Sequence, residues 1–337
     1  MKYNYVVLGS SSDLYKFSYS DLRKTNNATY IPGIESKLNR IEQGLLRVHT
    51  WRKLNSVVSL PFKGVWNHFL LGQVPVRDEN KICFIFFSNW VEYDDALHIT
   101  DYLRRKYTGC KLVWFLQDII STRSMIDGSP FDMVKLKDKF DLVMSFDQND
   151  CKKYNLHYHH LVFSSFEGKV EDSPESDVYF IGKAKNRLKE ILSVYKLLRE
   201  EGLKCDFHIT GVSESEREYA DEIDYDPHIS YAQNLQHILH TKCLLEIMQH
   251  GSSGISQSGY TQRVCEAVCL DKKLLTNNSE IDNAPFYNED LICKFGNVES
   301  ISTDFLHHIK DNTKVDYHYK EKFSPLEFLN FIENLLS

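Results

Sequence analysis

Short apolar runs alternate with longer segments of helical period along most of the chain. Parallel strands covered on both faces read as near-continuous apolar runs, so this alternation predicts parallel sheets with covering helices. In the first half the strand runs are YVVLG (5–9), KICFIFFS (81–88), KLVWFLQD (111–118) and DLVMSFD (141–147), while residues 35–72 are less regular and are read as partly helical. The second half is more legible. VYFIG (178–182) precedes KNRLKEILSVYKLLREEG, in which Leu188, Ile191, Leu192, Tyr195 and Leu198 fall at helical spacing and Gly202 suits a C-terminal cap. CDFHITG (205–211), CLLEIM (243–248), KKLLTN (272–277) and DLICKFG (290–296) follow as strands, separated by the helical NLQHILHT and YTQRVCEAVCL.

This order of elements predicts a doubly wound, Rossmann-like α/β domain, whose ligands sit beyond the carboxyl ends of the strands. The polar, Gly- and Pro-containing FSSFEGKVEDSPESD (163–177) reads as the crossing between two domains. The expected division is 1–168, 169–323 and a terminal helix over 324–337 that packs back on the N-terminal domain. Ser324 at the N-cap and Pro325 in the first turn start that helix.

Composition narrows the function. The 337 residues carry 40 Lys+Arg against 47 Asp+Glu, a net charge of −7, so there is no overall basic field to attract nucleic acid. Eight cysteines without a CxxC pair read as buried thiols of a reducing compartment, Cys265 and Cys269 included. The apolar start MKYNYVVLG is too short for a signal h-region, and no run reaches a membrane span, so a cytoplasmic protein is expected. The basic, aromatic YLRRKYTGCK (102–111) is read as a solvated helix end and leaves peripheral attachment to the inner face of the plasma membrane open.

The chemistry concentrates at strand ends. QHGSSGISQSGYTQRVCEAV (249–268) puts a glycine- and hydroxyl-rich turn between a strand and a helix, where backbone N–H groups and the helix dipole can cradle a diphosphate. His250, Gly251, Ser252, Ser253, Gly254 and Ser256 would line it, Arg263 would pair with phosphate, and Glu266, one turn on, would accept ribose hydroxyls. Gly182, Lys183 and Arg187 follow the first strand of the same domain, and Thr210 and Gly211 end the next, in reach of a base. Each position also has an ordinary reading as a turn or a solvated charge; three such strand ends in one domain favour a site.

With these residues in hand, the runs VYFIGKAKNRLKEILSVYKLLREEGLKCDFHITG and ISYAQNLQHILHTKCLLEIMQHGSSGISQSGYTQRVCEAVCLDKKLLTNN resemble the donor-binding half of bacterial capsule, exopolysaccharide and lipopolysaccharide glycosyltransferases of GT-B architecture. SFDQNDCKKYNL (145–156) is similar to the end of their first domain. The resemblance spans about residues 110–300 and implies two Rossmann-like domains facing a central cleft, with a nucleotide-sugar donor, usually UDP-linked. It matches Glu266 to the family's ribose-binding acid and Arg263 with the 251–256 turn to its phosphate contacts. HGSSGIS departs from the family's usual proline or glycine-threonine run.

The first domain is expected to hold the acceptor and a general base. Asp118, at the end of a strand, leads; Asp13, after VVLGSSS, is second; Asp147 reads as a helix cap, and His157, His159 and His160 as surface residues. DYD (224–226), the only D-x-D, reads as a loop, so no obligatory metal or other cofactor is expected beyond the UDP-sugar. The reading is a hexosyltransferase, with galactopyranose or galactofuranose as the sugar and a glycan or lipid-linked saccharide as acceptor. Alternatives that keep the fold are a nucleotide-sugar epimerase, a polyol-phosphate transferase or a non-catalytic nucleotide-sugar-binding protein. A dinucleotide oxidoreductase is disfavoured because VVLGSSSD has a single glycine.

Overall fold

The apolar runs become the central strands of two parallel sheets. The computed structural model describes residues 2–36, 38–55, 57–58, 60–72, 74, 81–166, 175–248, 258–311 and 314–337. The chain divides into two compact units, residues 1–164 with 324–337, and residues 165–323.

In the first unit, β1 (Asn4–Leu8), β2 (Ala28–Ile31), β3 (Ile82–Phe87), β4 (Lys111–Leu116), β5 (Leu142–Ser145) and β6 (His157–Tyr158) form a parallel sheet of order β2-β1-β3-β4-β5-β6. Every residue of ICFIFF in β3 is buried, as a central strand covered on both faces must be. Residues 35–72 contain the helices Arg40–Thr50, Arg52–Asn55 and Val65–Leu71. Asn39 starts the first of them by a capping box: its side chain accepts from the Ile41 and Glu42 N–H groups, and Glu42 accepts from Asn39 N–H. Asp147 caps the Gln148–Tyr154 helix, accepting from Asp150 N–H at 2.9 Å.

The second unit repeats the plan. β7 (Ser176–Lys183), β8 (Cys205–Thr210), β9 (Asp224–Tyr225), β10 (Thr241–Glu246), β11 (Lys273–Thr276) and β12 (Ile292–Lys294) pair in parallel in the order β12-β11-β10-β7-β8-β9. Phe207 and Ile209 face a core shared with the Leu188–Glu200 and Thr303–Lys310 helices. The opposite face, carrying Tyr179, meets the Tyr231–Leu239 helix. Gly202 ends the Leu188–Glu200 helix at φ +71°, a conformation open to glycine at little steric cost.

Two expectations need correction. DYD is not simply a loop: Asp224 and Tyr225 form edge strand β9, with Asp224 in register with His208. His159 is not a surface residue. The Pro325–Leu336 helix, capped by Ser324, brings Phe328 and Phe331 to ring-centroid distances of 4.9 and 4.8 Å from His159. Burial pushes the His159 imidazole down to about 3, so it is neutral and donates Nδ1–H to His160 O at 2.7 Å. His157, by contrast, is exposed.

All eight cysteines are free and seven are buried, Cys265 and Cys269 among them. In the basic stretch 102–111, Arg104 and Lys111 converge on Asp141, and Lys106 donates to the carbonyls of Leu71 and Gly72. Among the described residues no helix is long and apolar enough to cross a membrane.

Candidate functional site

The carboxyl ends of β7, β8 and β10 lie side by side because the strands are parallel and adjacent, with Lys183 in register with Thr210. Gly182 lets the Arg187 guanidinium approach: an added Cβ would lie 3.1 Å from Arg187 Nη2 and 3.2 Å from Phe180 Cζ. Arg187 donates Nε–H and Nη2–H to Lys183 O at 3.2 and 3.1 Å, and Nη1–H to Ile247 O, so one cation ties the ends of β7 and β10 together. Lys183 itself is exposed. Gly211, at φ +74°, turns the chain after Thr210 and donates its N–H to Asp226 Oδ1 at 3.2 Å.

The Gln262–Cys269 helix starts at the same edge. Thr261 Oγ1 accepts from Arg263 N–H at 3.1 Å and donates to Glu246, a buried acid at the end of β10 that also accepts from Thr276. Arg263 Nη1 bonds Glu266 Oε2 at 2.7 Å, Nη2 reaches Ile181 O at 3.4 Å, and the guanidinium lies 5.6 Å from the Tyr179 ring centroid. Glu266 is only 2% exposed. Its second oxygen accepts from Tyr231 OH at 2.9 Å and Asn234 Nδ2 at 3.5 Å, and Asn234 in turn accepts from Tyr179 OH at 2.9 Å. Burial raises the Glu246 and Glu266 carboxyls above the usual range, and Arg263 opposes the rise at both. The arrangement is an acid held under an arginine at a strand edge that also carries Arg187 and Lys183.

Glu246, Tyr179, Tyr231 and Asn234 were not singled out from the sequence. Only the acid ending the apolar CLLE of β10 carried a local signal. His250, Gly251, Ser252, Ser253, Gly254 and Ser256 lie outside the described residues. The chain enters that segment at Met248, whose N–H donates to Asn277 Oδ1 at 2.6 Å.

Under the Tyr231–Leu239 helix the polar chain continues. His208 has Nε2 2.8 Å from Asp206 Oδ1 and Nδ1 2.9 Å from Asp224 Oδ2, and His237 Nδ1 lies 2.8 Å from the other Asp206 oxygen. Both His208 nitrogens face acceptors, so the bonded form is the imidazolium. Its pKa is raised by the two carboxylates against the opposing effect of burial, which is the largest single influence, and Asp206 is lowered by its two imidazoles against burial. Among the described residues Asp206, His208 and His237 are the group whose ligand atoms lie within 4.8 Å of one another, close enough for a metal ion. In the structure those atoms hydrogen-bond to each other.

The sign of the pH effect follows. The His208 contribution to stability is complete below its unfolded pKa of about 6.5 and vanishes as pH rises through the higher folded value. The Asp206 contribution is complete above its unfolded pKa of about 3.9 and vanishes as pH falls through the lower folded value. Thermal melts of His208→Ala against the parent should therefore differ by about 1–2 kcal/mol near pH 5–6 and converge at alkaline pH. A difference that grows with pH would contradict the imidazolium assignment.

In the first unit, Asp13 and Asp118 both follow carboxyl ends of strands. Asp13 opens the Asp13–Ser18 helix, is exposed, and pairs with Lys16 at 3.0 Å. Its loop is held by Tyr30, whose hydroxyl accepts from Ser10 N–H and donates to Ser10 O, both at 2.9 Å. Half-exposed Asp118 lies 3.3 Å from Arg123, which also pairs with Glu92, an acid the sequence reading did not select. Desolvation raises the Asp118 and Glu92 carboxyls, and Arg123 counters it at both.

No protein-family model and no curated protein matches the chain at the sequence level. Solved structures do match. The chain is similar to an alpha-glucosyltransferase in complex with UDP and a 13-mer DNA containing a HMU base, at 10% identity over 98% of each chain and a TM-score of 0.56. The same figures for identity and coverage, with a TM-score of 0.55, hold for an alpha-glucosyltransferase in complex with UDP and a 13-mer DNA containing a central A:G mismatch. A third similar structure is the Methanocaldococcus jannaschii UDP-GlcNAc 2-epimerase in complex with UDP-GlcNAc and UDP, at 12% identity over 97% of this chain and 99% of that one, TM-score 0.46. The chain has the two-domain, Rossmann-like α/β architecture of GT-B glycosyltransferases.

Proposed function

We propose that the protein is a glycosyltransferase that moves a hexose from a UDP-sugar to a saccharide acceptor. The observation that carries the reading is the convergence of Arg187 and Arg263 on the carboxyl ends of β7 and β10, with the buried acid Glu266 beneath them. Cations and helix-start N–H groups at such an edge suit the diphosphate of a nucleotide sugar. Lys183, Arg187, Arg263 and the 250–256 segment are assigned to the diphosphate, Thr210 and Gly211 to the base, and Glu266 to the ribose. A ribose reaching Glu266 replaces one of the bonds that Tyr231 and Arg263 make to it.

Developing charge on departing UDP is stabilised in this reading by the cations and backbone donors, without a metal. Asp118 is assigned as the base that takes the acceptor hydroxyl proton, with Asp13 second. The finer assignment is galactose, in pyranose or furanose form, added to a glycan or lipid-linked oligosaccharide of bacterial surface polysaccharide on the cytoplasmic side. A net charge of −7 favours a saccharide acceptor over DNA.

Thermal-shift measurements with UDP, CDP, GDP and NAD test the donor site. UDP is expected to raise the melting midpoint most, by the equivalent of ~2.7 kcal/mol at a concentration a hundred times its Kd. A rise with NAD alone would refute the assignment. Chelator should leave sugar transfer intact, and consumption of UDP-sugar without any acceptor would point to epimerisation instead.

A further inference from the structure

A cluster of imidazole and carboxylate groups lies beneath the Tyr231–Leu239 helix, apart from the residues assigned to the nucleotide. Asp206 and His208 alternate along β8 and so share one sheet face, opposite Phe207 and Ile209. The helix supplies His237 from the covering layer. A capping box, in which Ser230 and Gln233 exchange bonds, fixes the helix start, and the His237 ring stacks on Tyr179 at 5.3 Å with an interplanar angle of 7°. One Asp206 oxygen faces His208 Nε2 and the other faces His237 Nδ1, each at 2.8 Å, and the three ligand atoms lie within 4.8 Å of one another. The His208 side chain is buried, while those of Asp206 and His237 are 31% and 33% exposed, which gives a cation a route in and water ligands access.

Two imidazole nitrogens and one carboxylate are the donor set of a borderline transition-metal cation, whereas Mg2+ and Ca2+ take oxygen ligands. The surroundings fit coordination as well. Asp224, in register with His208 on β9, accepts from His208 Nδ1–H at 2.9 Å, the kind of carboxylate partner that orients a ligating histidine and leaves Nε2 for the metal. With both imidazoles neutral, Asp206 and Asp224 give the cluster two negative charges, which a divalent cation balances. We propose that Asp206, His208 and His237 bind one divalent transition-metal cation of the Zn2+ type, with water completing its shell, and that the cation clamps the Tyr231–Leu239 helix to the sheet. It displaces the His208 Nε2 proton to solvent, and His237 then carries its proton on Nε2. When the metal is removed the same atoms satisfy one another by hydrogen bonds, so chelation loosens the clamp without stranding a buried polar group. The role is structural: Tyr231 and Asn234 of the same helix reach Glu266, but none of the three ligands is assigned to donor or acceptor. The proposal is independent of the reaction catalysed.

The test uses the full chain, freed of metal by chelator and dialysis and then titrated with Zn2+, Co2+, Mg2+ or Ca2+. Zn2+ is expected to bind once per chain and to raise the melting midpoint by roughly 5 °C or more at a hundred times its Kd. Bound Co2+ should show d–d absorption, and Mg2+ and Ca2+ should leave the midpoint unchanged. His237→Gln keeps a donor for Asp206 but removes a ligand nitrogen, and should abolish both the midpoint rise and the Co2+ spectrum. Asp224→Ala keeps all three ligands but removes the partner of His208 Nδ1, and should weaken binding about tenfold. Cooperative melting of each metal-free variant verifies the fold. His157→Gln, at an exposed histidine of the first unit, should bind as the parent does. The proposal is overturned by absence of Zn2+ binding, by an equal midpoint rise with Mg2+, by unchanged affinity in Asp224→Ala, or by binding that survives His237→Gln, which would put the metal on surface histidines.

Discussion

Replacing Glu266 with alanine is expected to cost about 2–4 kcal/mol of folding stability and to abolish the melting-temperature rise that UDP produces in the parent. The stability loss follows from what the acid holds. Arg263 would keep a mostly buried guanidinium without its counter-charge, and Tyr231 and Asn234 would lose their acceptor. A destabilised variant could also lose its nucleotide response through unfolding. Glu266→Gln separates the two effects, because the amide keeps the volume and an acceptor oxygen but removes the charge. It keeps the acceptor for Tyr231 and Asn234 but not the counter-charge of Arg263, so it should be destabilised by less than the alanine variant and still respond less to UDP. A UDP response of parental size in both variants would refute the ribose assignment while leaving the structural role intact.

Asp118→Asn is expected to lower sugar transfer by about 10²–10⁴-fold and leave UDP binding unchanged. Asp118 belongs to the first unit, and the residues assigned to the nucleotide belong to the second. Desolvation raises the Asp118 carboxyl, with Arg123 opposing, so the acid limb of the parental pH–rate profile should lie at higher pH than an ordinary aspartate would give. The profile of the variant should lose that limb. Arg123 retains Glu92 as partner after the substitution, which protects the local fold. Transfer at the parental rate would shift attention to Asp13 or to Glu92.

The strands that proved legible are those buried on both faces, such as ICFIFF of β3 and KLVWFL of β4, because continuous burial leaves a continuous apolar record. The strands missed, β2, β6 and β9, have two to four residues at or near sheet edges and mix polar with apolar side chains. Their pairing is decided by neighbours. Capping was legible at Asp147, at Ser324 and at Gly202, because a cap is a bond or a turn within a few residues of chain.

The site divides in the same way. Arg263 and Glu266 share one helix face and form their ion pair within a single turn, so spacing alone suggested them. Nothing local announced that Tyr179, Tyr231 and Asn234 would meet at that pair, since they arrive from β7 and from the Tyr231–Leu239 helix. His159 was misjudged for a similar reason: the phenylalanines that bury it lie some 170 residues further along.

By itself, then, the order of residues determined the alternation of strand and helix, the parallel sheets this implies, the helix caps at Asp147, Ser324 and Gly202 and the strand ends where polar residues gather. These properties depend on periodicity and on contacts within a turn or two. Only the tertiary structure decided that Glu266 lies buried beneath Arg263, that His208 bridges two carboxylates, and that an apolar helix face at Ile41, Leu45 and Val48 remains in water. Burial and charge pairing are set by whatever the fold packs alongside, and that neighbour is often a hundred residues away.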